Sequence, residues 1–349
     1  HKMGINGSAT CVLEFGAEDH CVGYLCGSEE QQGIRQMFQM MNGARINVGM
    51  CGYAVASSAY LNALDYARER VQGRLTREAK AARVPIIRHA DVRRMLLDMK
   101  ARVEGCRALG LKLASHVDRA RVTRGKDDEA HAFHAGQVEL LTPLLKSYAT
   151  DQGFQVCQTA IQSYGGAGYL KDHPAEQHCR DSKILAIYEG TNHVQALDLV
   201  GRKLSLAGGR PIRDFMAELS RFVHTQQQHP RLATSIHALG EAGETVGELV
   251  GALRDEREQG RLGLNANAIL DCLSELAVGQ LLLEGAVIAH GASAGLPEGD
   301  ADGLFYEGKQ RAAEYFAQRV LPNVSARARV MRSADRSVLD IPEGAFATV

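Results

Sequence analysis

Residues Gln162 to Gln195 read Q-S-Y-G-G-A-G-Y-L-K-D-H-P-A-E-Q-H-C-R-D-S-K-I-L-A-I-Y-E-G-T-N-H-V-Q, and the rest of the chain is organised around them. The stretch opens on a glycine turn, Gly165, Gly166 and Gly168, after an apolar segment. Pro174 can begin a helix, because its missing N–H is not needed in a first turn, and that helix is predicted to end near Lys183. Ile184 to Ile187 is an apolar run expected to be buried. It stops at Tyr188-Glu189-Gly190-Thr191, after which Asn192 to Leu204 reads as a further helix. A carboxylate therefore sits on a turn directly after a run predicted to be inside. Against apolar walls a carboxyl group holds its proton more tightly, which suits a general base. Taken alone, a glutamate before a helix also fits a solvated loop.

Outward from this stretch the periodicity is helical. Gln31 to about Arg74 carries Met37, Met40, Met41 and Ala44, then Ala56, Ala59, Tyr60 and Ala63, at helical spacing. Gly43, Gly49 and Gly52 cost helix stability, so they predict close helix packing. The methionines are read as core filler in preference to a flexible substrate wall. Arg68, Arg70, Arg74 and Arg77 end this helix, where the dipole favours cations. Asp91 to about Val122 has one apolar stripe, from Val92 and Met95 to Leu113. Val138 to about Tyr164 is predicted as a third helix, broken near Gly153, and the three form an antiparallel bundle. Gly208 and Gly209 mark a linker. Arg213–Val223, Ala238–Arg257, Ala266–Ala289 and Leu304–Arg319 are the predicted helices of a second unit. Only the first residues read as β: Thr10–Phe15 and Cys21–Leu25 are candidate strands, too few to be stable alone. The expected architecture is mainly α. It has a β remnant over 1–30, a helical bundle over 31–206, a helical extension over 211–332 and a loosely ordered tail over 333–349.

Composition narrows the functional classes. The 349 residues carry a net charge of −1, so the chain as a whole has no basic excess for nucleic acid or anionic membrane. No apolar run reaches membrane-spanning length. The eight cysteines form no C-x-x-C pair, which points to reduced thiols and a cytoplasmic setting. His131 and His134 stand three apart but have no partners at a metal-ligand spacing, so no metal is expected.

Two motifs carry a resemblance. Gln162, Gly165, Gly166 and Gly168, then Tyr188, Glu189, Gly190 and Thr191 about twenty residues later, with Arg180-Asp181 between, resemble the signature region of the acyl-CoA dehydrogenases. The resemblance implies FAD as cofactor and α,β-dehydrogenation of an acyl-CoA thioester. Glu189 would take the α-proton, and its backbone N–H would polarise the thioester carbonyl. Tyr188, Gly190 and Arg45 would meet the substrate. Arg70, Gln162, Gly165, Gly166, Gly168, Thr191 and His193 would contact FAD, the glycine turn reaching the cofactor of a neighbouring subunit. Some family members place the base just before the position of Arg45; here Asn42, Gly43 and Ala44 stand there, and none can act as one. The chain departs from the common pattern at Gly73, where an aromatic is usual, and near Pro85-Ile86, where a Gln is expected.

The family also implies an electron-transferring flavoprotein as electron acceptor and a homodimer or dimer of dimers. Lys2 to Thr10 matches the end of the family's middle β-barrel, so the chain is read as a C-terminal fragment, inactive alone. Its extension is similar to that of a bacterial subgroup that includes enzymes acting on 3-methylmercaptopropionyl-CoA. The alternative class is a nucleic-acid-binding or non-catalytic helical relative. Arg319, Arg327, Arg329, Arg332 and Arg336 would form its basic stretch, but no aromatic residues interleave them.

Overall fold

A computed structural model describes residues 1–76, 82–253, 259–333 and 335–347; Arg77 and Arg257, which figured in the expected helix ends, lie outside these. Three long helices build the first bundle: α1 (Gly33–Glu69), α2 (Ala90–Thr123) and α3 (Asp128–Tyr164). The short helices α4 (Ala175–Ser182) and α5 (Asn192–Gly201) follow, with 3-10 turns over Gly165–Tyr169 and Lys183–Ala186. The chain continues through α6 (Arg210–Gln226), α7 (Ala233–Leu253), α8 (Gln259–Ala292), α9 (Ala301–Arg319) and α10 (Pro322–Met331). Ser337–Asp340 and Glu343–Ala347 are single turns with no buried residue.

The predicted stripe of α2 is the buried face: Met95, Leu96, Met99, Val103, Cys106, Leu109 and Leu113 all lie inside. α3 does not break at Gly153, and it also carries Pro143 within it. The reason is tertiary. A Cβ on Gly153 would stand 2.5 Å from the Gly52 carbonyl oxygen, and one on Gly52 would stand 2.6 Å from that of Ala149. Here α1 and α3 touch backbone to backbone, and the contact offsets the propensity penalty of glycine in a helix. Gly49 presses on Leu145 in the same way, whereas Gly43 faces open space. The methionine cluster is not core filler: Met37 and Met40 are exposed, the latter by 67%.

α8 is apolar and long enough to cross a membrane, but 72% of its most apolar window is packed inside the protein. Ala266, Leu270, Leu273 and Leu276 are buried in one continuous core shared with Leu140, Leu144 and Tyr148 of α3. The second set of helices therefore packs directly on the first.

Among the described residues the two expected N-terminal strands are not formed: 10–15 and 21–25 are exposed and unpaired. Two strands without a sheet bury too little to hold together. Residues 3–5 dock instead on α4, where the Ile5 amide donates to Asp181 Oδ1 at 2.6 Å and Arg180 donates to the Met3 carbonyl at 3.1 Å.

Between α2 and α3, the Nδ1 atoms of His116 and His134 lie 3.0 Å apart. One ring must donate and the other accept, so the pair cannot be doubly protonated. Burial, helped by Lys112 and His134, pushes His116 down to about 4. An unfolded histidine binds its proton near 6.5. Between pH 6.5 and 4 the unfolded chain therefore holds more protons, and stability falls as pH drops through that window. His116 is 5% exposed, so the loss reaches on the order of 3 kcal/mol. Urea midpoints at pH 7 and pH 4.5 should differ clearly more in the wild type than in His116→Leu. Equal slopes would assign the acid sensitivity to other groups.

Candidate active site

Tyr188-Glu189-Gly190-Thr191 closes a 3-10 turn. The amides of Ile187 and Tyr188 both donate to the Ile184 carbonyl, at 2.9 and 3.0 Å. The chain then reverses through two left-handed residues, Glu189 at φ 56° and Gly190 at φ 83°. Glycine adopts that region freely, but glutamate is held there against a cost of about 1–2 kcal/mol. Such a conformation persists only where its surroundings over-determine it, and it concentrates at functional sites. Thr191 caps α5, its Oγ1 accepting from the Val194 amide at 3.3 Å.

The apolar run before the glutamate is only partly inside. Leu185 is buried, but Ile187 is 50% exposed, because a 3-10 turn points successive side chains in different directions. Within this chain the expected apolar enclosure of Glu189 is therefore not complete. Polar groups back the turn instead. A Cβ on Gly190 would meet Gln195 Nε2 at 2.6 Å and the Arg45 guanidinium at 3.6 Å. Arg45, read from sequence as a substrate contact, is 8% exposed and lies 3.8 Å from Asp198. Burial acts to raise the Asp198 carboxyl, yet Arg202, Lys203 and Arg45 together hold it below its ordinary range. Arg45 Nε and Gln195 Oε1 are buried without a hydrogen-bond partner beside Gly190. An open cleft of about 560 Å³ adjoins, lined by Arg35, Asn42, Arg45, Glu139, Asp198 and Arg202.

The remaining predicted residues divide by position. His193 Nδ1 lies 3.1 Å from Asn267 Oδ1 and ties α5 to α8. Arg70 stands at the exposed end of α1, its amide bonded to the Tyr66 carbonyl at 2.9 Å. Tyr66 stacks on Tyr164 at 4.2 Å, and the Tyr164 hydroxyl donates to the Asn62 carbonyl at 3.0 Å. These contacts bring the Arg70 end of α1 beside the glycine turn. Gln162, Gly165 and Gly166 are exposed, and a Cβ on either glycine would meet open space. Gly168 is structural: a Cβ there would stand 2.6 Å from the Ile161 carbonyl oxygen. Arg45 and Arg70 share α1 but are about 37 Å apart along it at 1.5 Å per residue. One chain thus brings Glu189, Gly190, Tyr188 and Arg45 together at one place, and Arg70 with the glycine turn at another.

Sequence reasoning missed Lys146, Asn192 and Gln195, which are packed under the Glu189 turn. The one available signal was a lysine inside the apolar run Leu144-Leu145-Lys146-Ser147-Tyr148-Ala149.

Residues 31–204 match the acyl-CoA dehydrogenase C-terminal domain, and residues 212–342 match the acetyl-CoA dehydrogenase C-terminal-like domain. The chain is 33% identical over 99% of its length to a butyryl-CoA dehydrogenase of Syntrophomonas wolfei, covering 57% of that protein. It is 37% identical over 99% to a broad-specificity linear acyl-CoA dehydrogenase of Mycobacterium tuberculosis, covering 58%. It is 37% identical over 93% to 3-methylmercaptopropionyl-CoA dehydrogenase of Ruegeria pomeroyi, covering 54%. The chain thus spans little more than half the length of these relatives. In fold it matches Caenorhabditis elegans ACDH-11, solved with C11-CoA, at a TM-score of 0.69 and 20% identity over 89% of this chain and 49% of that one. With both domains matched in order and the two signature turns at the family spacing, the chain belongs to the acyl-CoA dehydrogenase family.

Proposed function

We propose that the protein carrying this chain dehydrogenates an acyl-CoA thioester between its α and β carbons, with Glu189 as the base. The observation that carries the reading is the left-handed Glu189-Gly190 pair, which puts a carboxylate side chain and its backbone N–H on one tight turn. The Glu189 carboxylate takes the α-proton while its amide donates to the thioester carbonyl oxygen, which lowers the cost of ionising a weak carbon acid. The β-hydrogen leaves as hydride and the carbon–carbon double bond forms. Tyr188, half exposed beside the base, lines the acyl group, and Gly190 lets the backbone approach it.

FAD fits the second patch. Arg70 offers an exposed cation, and the open backbone at Gly165 and Gly166 lets an extended anionic ligand approach closely. Gln162 and Gly168 complete the turn, and Thr191 and His193 lie on the α5 side. Bound FAD would supply the hydride acceptor. The FAD-bound acyl-CoA dehydrogenase of Bacillus anthracis, at 18% identity and a TM-score of 0.66, is a neighbour in fold. An electron-transferring flavoprotein would then collect the electrons. In this reading the bundle over 31–206 carries the chemistry and the extension over 211–332 supports it. The test is anaerobic addition of an acyl-CoA panel to the flavin-loaded enzyme. One or more thioesters should bleach the flavin, and no bleaching with any chain length would reject the reading.

Because the glycine turn and Glu189 are far apart within one chain, a complete site takes each from a different copy. The expected assembly is a homodimer, or a dimer of dimers, burying more than about 2,000 Å² per interface. Sedimentation at micromolar concentration should give a dimer or larger, and a monomer would contradict it.

Nucleic-acid binding is less well supported. The basic C-terminal stretch is largely neutralised: Arg327 pairs with Glu275 and Arg332 with Glu248, both at 2.6 Å, and Arg336 with Asp340 at 3.0 Å.

A further inference from the structure

Lys146 lies in the middle of α3, on the buried side of the Glu189 turn. Its side chain is 0% exposed. An ammonium in such a place is costly unless a specific partner receives it. That partner is Asn192, whose Oδ1 accepts from Lys146 Nζ at 2.9 Å. The Asn192 amide group in turn donates to the Ser147 carbonyl at 3.2 Å and to Thr150 Oγ1 at 3.1 Å. The first residue of α5 is thus clasped onto α3 only two positions after Gly190. On the other side of Glu189, the Ile184 carbonyl anchors the Tyr188 amide. The left-handed pair is therefore pinned at both ends, which is how a non-glycine residue is kept at φ 56°.

Lys146 keeps its charge in this buried setting. The ionisable groups acting on Lys146 are Asp151 from its own helix, Arg45 from α1 and Glu189 from the turn. Burial pushes Lys146 down to about 8, with Arg45 acting in the same direction and Asp151 and Glu189 opposing, so it is still charged at neutral pH. Burial raises the Asp151 carboxyl, and Asn192, Lys183 and Lys146 act against that rise.

We propose that Lys146 is a positioning residue for the dehydrogenation read above: through Asn192 it holds the Glu189 turn in its left-handed form. This rests on Glu189 being the base.

The experiment uses the flavin-loaded enzyme and three variants. Lys146→Met removes both clasp and charge. Lys146→Gln can still donate to Asn192 but is neutral. Asn192→Ala breaks the clasp and leaves the ammonium. For Lys146→Met, flavin reduction by a good acyl-CoA should slow at least about 10-fold, because the base loses its fixed position. KM should change less than about threefold, because Lys146 lies behind the turn and not on its open side. Lys146→Gln should show a smaller rate loss. Asn192→Ala should slow reduction about as much as Lys146→Met. Amide hydrogen exchange over 187–192 should quicken in Lys146→Met and Asn192→Ala but not in Lys146→Gln, a readout independent of turnover. Should Lys146→Met fail to fold, Asn192→Ala decides the clasp. Unchanged exchange over 187–192 in the folded variants would overturn the proposal. If Glu189→Gln itself reduces at the wild-type rate, it is the assignment of the base that fails, and unaltered exchange in Asn192→Ala would then refute the clasp separately.

Discussion

Glu189→Gln should slow anaerobic flavin reduction by a good acyl-CoA at least about 10²-fold, the ordinary scale for losing a general base. The substitution keeps the size of the side chain and its hydrogen bonding but removes its basicity. The backbone N–H proposed to meet the thioester stays in place, so acyl-CoA should still bind. Gln is subject to the same left-handed strain as Glu, so the turn loses nothing further. Glu189→Asp should keep part of the rate, since the carboxylate remains but is withdrawn by one methylene. Glu176 provides the control: its carboxylate is paired with Arg180 at 2.5 Å on α4, outside the turn, and its replacement should leave reduction little changed. Stopped-flow absorbance of the flavin gives the answer directly. A Glu189→Gln enzyme reducing at close to the wild-type rate would place the base elsewhere, even though the family assignment would stand.

Gly52→Val should be the most damaging single change to the fold, with a loss of at least about 3 kcal/mol in chemical denaturation. A Cβ at this position meets the Ala149 carbonyl oxygen at 2.6 Å, its carbon at 2.8 Å and the Thr150 amide nitrogen at 2.9 Å. All three are backbone atoms inside α3, so no side chain can swing aside. α1 and α3 must separate, and the contacts of Ala56, Ala59 and Ala63 with Val156 and Ala160 loosen with them. The displaced segment of α3 also carries Lys146 and Thr150, which clasp Asn192, so the distortion reaches the Glu189 turn. Gly153→Ala tests the same crossing from the other helix. Alanine would favour the helix by about 1 kcal/mol, yet its Cβ would stand 2.5 Å from the Gly52 carbonyl oxygen, so the net effect should be destabilising. Gly43→Ala, in the same helix but facing open space, should instead stabilise by a few tenths to about 1 kcal/mol. Equal effects of Gly43→Ala and Gly52→Val would mean that the crossing is not tight.

What the sequence determined by itself was local. The 3.6-residue periodicity of Met95 to Leu113 marks the buried face of α2, and Pro174, the N-cap residue, stands one position before the start of α4 at Ala175. The two signature turns were legible because each is contiguous: the residues that make a turn are neighbours in the chain. Tertiary structure decided the rest, because partners at long separation leave no periodic mark. Nothing near Gly153 says that a helix must run through it; the Gly52 backbone, a hundred residues away, settles that. Met37 and Met40 at the start of α1 have core spacing, yet within this chain they are exposed. Glutamate has no preference for positive φ, and Glu189 adopts it because α3 holds Asn192 and Ile184 holds Tyr188. Charge in the interior follows the same rule. A lysine in an apolar run is only an anomaly until the fold brings an acceptor to it, and here that acceptor comes from forty-six residues further along the chain.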